Sequence, residues 1–265
     1  MSAKPELDRL PNPDLLAETL LNGNNIDQRV KAARLLVKLG GPTVVDLLVK
    51  ALDDSEPTFR AKLIKIVGQL NHPLRSELFV KAIKDTDCYV RKSAVESVIE
   101  VDHPQIIEAL INRLRDEEIN VRESAVIALE KSADRGRVVE VLTNALSDSH
   151  WSVRRESVEI IAKIGGPQAI GPLRRMLKDE DAEVRASALS GLAHHCGAEV
   201  IENAVEAFDD PDPSVRLEAF HITGKFGQPF IIARLEQIAA QENCSIMIRQ
   251  AAHNAADRIR ERFSE

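Results

Sequence analysis

Asp179-Glu180-Asp181-Ala182-Glu183-Val184-Arg185-Ala186-Ser187-Ala188 has a close relative at residues 85–94, and both read Asp-x-x-x-x-Val-Arg-x-x-Ala. Aligned on the arginine, the whole chain falls into columns. The arginines are Arg29, Arg60, Arg91, Arg122, Arg154, Arg185, Arg216 and Arg249, at intervals of 31, 31, 31, 32, 31, 31 and 33 residues. A period of that size belongs to stacked supersecondary units, each unable to bury its apolar face alone.

The columns say what each unit is. Counting from the arginine, positions −1, +3, +6, +7 and +10 are mostly apolar, as in Val90, Ala94, Leu35–Leu36, Ile160–Ile161 and Leu70. Those offsets trace one stripe of an amphipathic helix. The small residue at +3 permits close approach of a neighbouring helix. Gly40, Gly165 and Gly227 at +11 stand where a helix ends on a left-handed residue. Pro42, Pro73, Pro104, Pro167 and Pro229 at +13 suit the first turn of the next helix. A second apolar stripe follows, as in Leu47, Leu48 and Leu52, so each unit is two antiparallel helices. Six before the arginine stand Asp54, Asp85, Asp116, Asp148, Asp179 and Asp210, with Gly23 and Asn243 in the outermost units. This aspartate falls in the turn before the second helix, where it can accept N–H groups of that helix and pair with an arginine nearby.

The pattern resembles the HEAT-like repeats of the phycobilin-lyase type, over residues 14–259. The expected fold is all-α, a right-handed α-solenoid of eight two-helix repeats. It takes residues 1–265 as one array, with an N-terminal cap repeat near 13–40 and a C-terminal one near 229–265. A one-residue insertion near 135–141 is the main break in register. The resemblance implies that the second helices line a concave groove. It also implies two functions: a protein-binding scaffold, or a phycobilin-lyase subunit or phycobiliprotein-handling factor with a linear tetrapyrrole as ligand.

Composition narrows the classes. The net charge of −7 argues against general nucleic-acid binding, which needs a basic face. Aromatic residues at 3% leave little for base stacking. Cys88, Cys196 and Cys244 are scattered and form no C-x-x-C, which fits reduced thiols in the cytoplasm. Residues 1–13 are polar and lack a secretory core, and no apolar run reaches membrane-span length.

Columns +1, +2, +5 and +9 lie opposite the apolar stripe, and are expected to be exposed. They carry Lys31, Arg34, Lys38, Lys62, Lys65 and Lys92 in the first three repeats. Glu96, Glu100, Glu123, Glu156 and Glu159 follow, and then a nearly neutral zone with His194 and His221. Tyr89 and Met247, at −2, are candidate contact residues. Trp151 and Cys88, at −3, read as packing residues. His195 replaces an apolar +10 residue and reads as a packed histidine. No metal set or catalytic constellation assembles, and no His-Glu pair of the HEAT-like iron hydroxylases occurs. The expected function is a non-enzymatic scaffold, without cofactor, binding another protein through an acidic segment and neither nucleic acid nor membrane. If the chain is an enzyme, it is a bilin lyase.

Overall fold

The chain is described by a computed structural model covering residues 12–264 except 71, 100 and 102. The candidate Glu100 and the segment before Asn12 therefore lie outside the described residues. Sixteen α-helices form among the described residues, and they pair in chain order. The first four repeats are α1 (Pro13–Asn22) with α2 (Ile26–Leu39), α3 (Pro42–Ala51) with α4 (Pro57–Val67), α5 (Arg75–Ile83) with α6 (Cys88–Ser97), and α7 (Pro104–Arg113) with α8 (Ile119–Leu129). The last four are α9 (Arg135–Ala145) with α10 (Trp151–Ile164), α11 (Pro167–Met176) with α12 (Ala182–Cys196), α13 (Ile201–Glu206) with α14 (Pro213–Phe226), and α15 (Ile232–Ala239) with α16 (Ile246–Phe263). Packing gathers them into two compact units, one ending at Asp134 and one beginning at Arg135. Each unit is an all-helical α-solenoid stack. Within each, successive second helices pack side by side, as α2 on α4 and α4 on α6, or α10 on α12 and α12 on α14.

The second helices start on a column that the sequence reading passed over. Four before each arginine stands a polar N-cap residue. Asn25, Glu56, Asp87, His150, Asp181, Asp212 and Ser245 each accept a backbone N–H from the first turn of their helix. The aspartate at −6 has a different task from the one expected. Its Oδ1 takes the N–H of the N-cap residue itself, as Asp85 does from Asp87 at 2.9 Å and Asp179 from Asp181 at 2.9 Å. It shapes the turn and leaves the helix N–H groups to the cap.

The pairing of the two repeated charges is as expected, and it runs from one repeat to the next. Arg60 donates Nε and Nη2 to Asp85 at 2.8 and 2.7 Å, and Arg91 does the same to Asp116 at 2.8 and 2.7 Å. Arg154 with Asp179 and Arg185 with Asp210 repeat this fork in the second unit, every bond at 2.8 Å. Arg29 meets Asp54 through a single bond. In the four forked pairs Nη1 also holds the carbonyl of the arginine's own repeat's aspartate, as from Arg60 to Asp54 at 2.7 Å and from Arg185 to Asp179 at 2.8 Å. One guanidinium thus ties two consecutive turns. Burial would raise Asp54, Asp85, Asp116 and Asp210. The arginine and backbone hydrogen bonds, with the guanidinium charge, outweigh it and hold all four below the ordinary carboxylate range.

One column joins the core, and two expected to be exposed are partly buried. Position +4 is fully buried in Ala33, Ile64, Val95, Val158, Leu189 and Phe220, and belongs to the core. It faces the following repeat: in the last repeat it is His253, which is exposed. Position −1 faces the preceding one: Gln28 is exposed in the first repeat, while Phe59, Val90 and Ile248 are buried. Columns +1 and +2 are not uniformly exposed. Val30, Ser93 and Ser124 are buried there. Columns +5 and +9 hold the open side chains.

Glycine at +11 serves two purposes. Gly165 has φ +74, as a left-handed end requires. Gly227 instead has φ −62, and a Cβ there would stand 2.5 Å from the Thr223 carbonyl oxygen. It is needed for close approach, not for handedness.

Candidate functional site

Helix periodicity puts Lys31 and Arg34 one turn apart on α2, and Lys62 and Lys65 one turn apart on α4. Because α2 packs on α4, the two pairs face one groove. Its volume is about 610 Å³, and Asp27, Val30, Ile66 and Gln69 complete its lining. Among the described residues, Lys31, Arg34 and Lys65 have no carboxylate partner within ion-pair distance. Lys62 has one: its Nζ lies 2.9 Å from Asp27 Oδ1, with both groups largely in solvent. Four cations and one carboxylate on an otherwise acidic chain make this a local anion-attracting surface.

Asp27 was not among the sequence candidates. It sits at −2, one turn before Lys31, and its link to Lys62 spans 35 residues. A column reading orders residues within a helix, and only the offset of neighbouring helices brings these two together.

The remaining candidates are not drawn into this groove. Lys92 is half-buried on α6 and lies 3.7 Å from Glu96, an intrahelical pair. Tyr89 stands at the start of α6 with 74% of its surface exposed. Glu123 is half-buried on α8. In the second unit, Glu159 and His194 share a shallow hollow of about 420 Å³ with Lys163, Ser187 and Ser190. Glu159 lies 3.8 Å from Arg155 Nε. His221 is exposed on α14 and does not line that hollow, and Met247 is exposed at the start of α16.

His195 is half-buried, its Nε2 bonded to the Ala162 carbonyl and its ring against Gly165. That agrees with a packed role. Trp151 packs locally at the helix start and stays partly open to solvent. It is 40% exposed, its ring stacked on His150 at 6.0 Å and covered by the Arg155 guanidinium at 5.6 Å. The −3 column is the first residue of each second helix. All three cysteines are free and half-buried. No helix among the described residues is long and apolar enough to cross a membrane.

A repeat of about 31 residues, two antiparallel helices per unit, and an arginine–aspartate tie between consecutive turns define an α-solenoid of the HEAT class. The HEAT-repeat family matches residues 13–98, 76–137, 107–193 and 172–256, and the chain belongs to it. No curated protein sequence matches the chain. The crystal structure of YibA from E. coli is 22% identical, covers 98% of each chain and superposes with a TM-score of 0.59. Importin beta is 13% identical, covers 95% of this chain and 41% of its own, and gives 0.63. These likenesses are of fold. The CpcE–CpcF complex of phycocyanin lyase from a Nostoc species is 19% identical over 98% and 99% of the two chains, with a TM-score of 0.46. At that score it lends no weight to the phycobilin-lyase subtype.

Proposed function

We propose that this chain is a non-enzymatic docking scaffold of the cytoplasm, and that the groove between α2 and α4 receives an acidic segment of another protein. The observation that carries this is the convergence of Lys31, Arg34, Lys62 and Lys65 on one open groove with a single opposing carboxylate. The helices lie about 8–10 Å apart by ordinary packing, close to the Debye length of about 8 Å at physiological salt. The four fields therefore add over the approach of a ligand. Exposed charges of this kind act mainly on encounter.

The test is association kinetics with a partner captured from the native organism, at two ionic strengths. Lys62→Glu with Lys65→Glu should lower the association rate by about tenfold or more, and flatten its salt dependence. Stability should hold, because both side chains stand outside the core. An unchanged rate would remove the groove from the reading. A bilin-handling role is the second proposal, resting on the same cations as hydrogen-bond donors to tetrapyrrole propionates. A bilin titration that leaves the absorption spectrum unaltered would eliminate it.

A further inference from the structure

The groove is already partly occupied by the chain itself. Asp27 projects from the first turn of α2, and its Oδ1 reaches Lys62 Nζ on α4 at 2.9 Å. It is the only acidic side chain lining the groove among the described residues. We propose that Lys62 forms a carboxylate subsite, and that Asp27 is its resident competitor, displaced when a carboxylate of the partner binds. This rests on the reading of the groove as the acidic partner's dock.

Three observations argue for competition instead of structural pairing. The four forked ladder pairs are two-pronged, with side chains no more than 13% exposed, whereas this link is a single bond between groups 46% and 84% exposed. Such exposed pairs are worth little and exchange readily with solvent and salt. Among the described residues the neighbouring Lys31, Arg34 and Lys65 keep no carboxylate, so the internal acid answers one cation of four. Asp27 is also not required for the start of α2, because Asn25 supplies the capping acceptor for Gln28 N–H at 3.1 Å. An incoming carboxylate can take the Lys62 position while the other three cations hold its neighbours.

The experiment is fluorescence anisotropy of a labelled oligoglutamate peptide on the full chain at low and physiological salt. It compares wild type, Asp27→Asn, Lys62→Met, the double variant, and Asp46→Asn as a charge-matched control on α3. Asp27→Asn should tighten binding by about two- to fivefold, the range an exposed ion pair commands. The gain should shrink with salt, vanish in the Lys62→Met background, and be absent in Asp46→Asn. Unaltered binding in Asp27→Asn overturns the competitor. So does a gain that persists without Lys62, or one equalled by Asp46→Asn, since either would be a general field effect. Lys65→Glu tests the underlying dock separately: binding unchanged there, or absent from wild type and Asp27→Asn alike, sinks the groove itself.

Discussion

At the residue scale the decisive pair is arginine with the next repeat's aspartate, and its worth depends on burial. Asp116 and Arg91 side chains are 1% and 5% exposed, and Arg113 adds a third donor at 2.9 Å. Asp116→Ala takes the forked carboxylate from a buried guanidinium, leaving it as carboxylate only the exposed Glu117 at 3.4 Å, and should cost about 3–5 kcal/mol in urea unfolding. Asp54, at 18% exposed and with one arginine bond, should cost less, toward the ~0–1 kcal/mol of an exposed pair. Equal losses at the two sites would mean that burial is not what sets the scale. Acid should act through the same groups. Their folded pKa values lie below the unfolded ones, so their contribution is complete above the ordinary aspartate value of 3.8 and is lost as pH falls through the folded value. Wild-type stability should drop steeply below that point, and Asp116→Asn should show a shallower drop from a lower plateau. Parallel pH curves for the two proteins would remove Asp116 from the acid response.

At the element scale, contact between second helices depends on small residues. Gly191 on α12 leaves so little room that a Cβ would stand 2.6 Å from the Ala162 Cβ on α10. Gly191→Ala should therefore destabilise by about 1–3 kcal/mol, as overpacked cores do. Gly171 on α11 meets nothing beyond its chain neighbours where its Cβ would be, but Pro172 follows it, and a Cβ on a helical residue before proline crowds the proline Cδ. That crowding should offset the roughly 0.5–1 kcal/mol that helix propensity offers, so Gly171→Ala should be nearly neutral. Thermal melts should show a clear loss for Gly191→Ala and little shift for Gly171→Ala. The sequence marked the +3 alanines as sites of close approach, but gave no sign that Gly191 at +6 is tighter still. Position +6 is a large apolar residue in Ile66, Ile160 and Ile222, and glycine in such a column reads as a weak spot. Only the neighbouring Ala162 shows it to be a contact.

At the scale of the whole molecule, repeats require polar ends. Column +4 is apolar wherever another repeat covers it, and becomes His253 in the last, where its Nε2 lies 3.3 Å from Asp257 Oδ2. Arg260 beside it pairs with Asp257 and Glu236. His253→Leu would restore the apolar column on a face that is exposed in this structure. It should leave the melting temperature nearly unchanged and raise self-association, read by sedimentation across a concentration series. A strictly monomeric variant would show that the surrounding charges cap the end without His253.

The period, the two-helix unit, the buried stripe and the arginine–aspartate tie were legible in the residues alone. Each of these repeats, so a position's role is stated several times over, and its chemistry is local: 3.6 residues per turn, a cap, a glycine stop. The groove between α2 and α4 was legible only as a list of basic residues. Lys31, Arg34, Lys62 and Lys65 converge, while Lys92 turns to its own Glu96, because α2 and α4 bring two exposed stripes face to face. Asp27 enters for the same reason, reaching a lysine 35 residues away. Charge placement across helices depends on their offset and on side-chain reach. No column within one helix encodes either, so tertiary structure alone decided which charges meet.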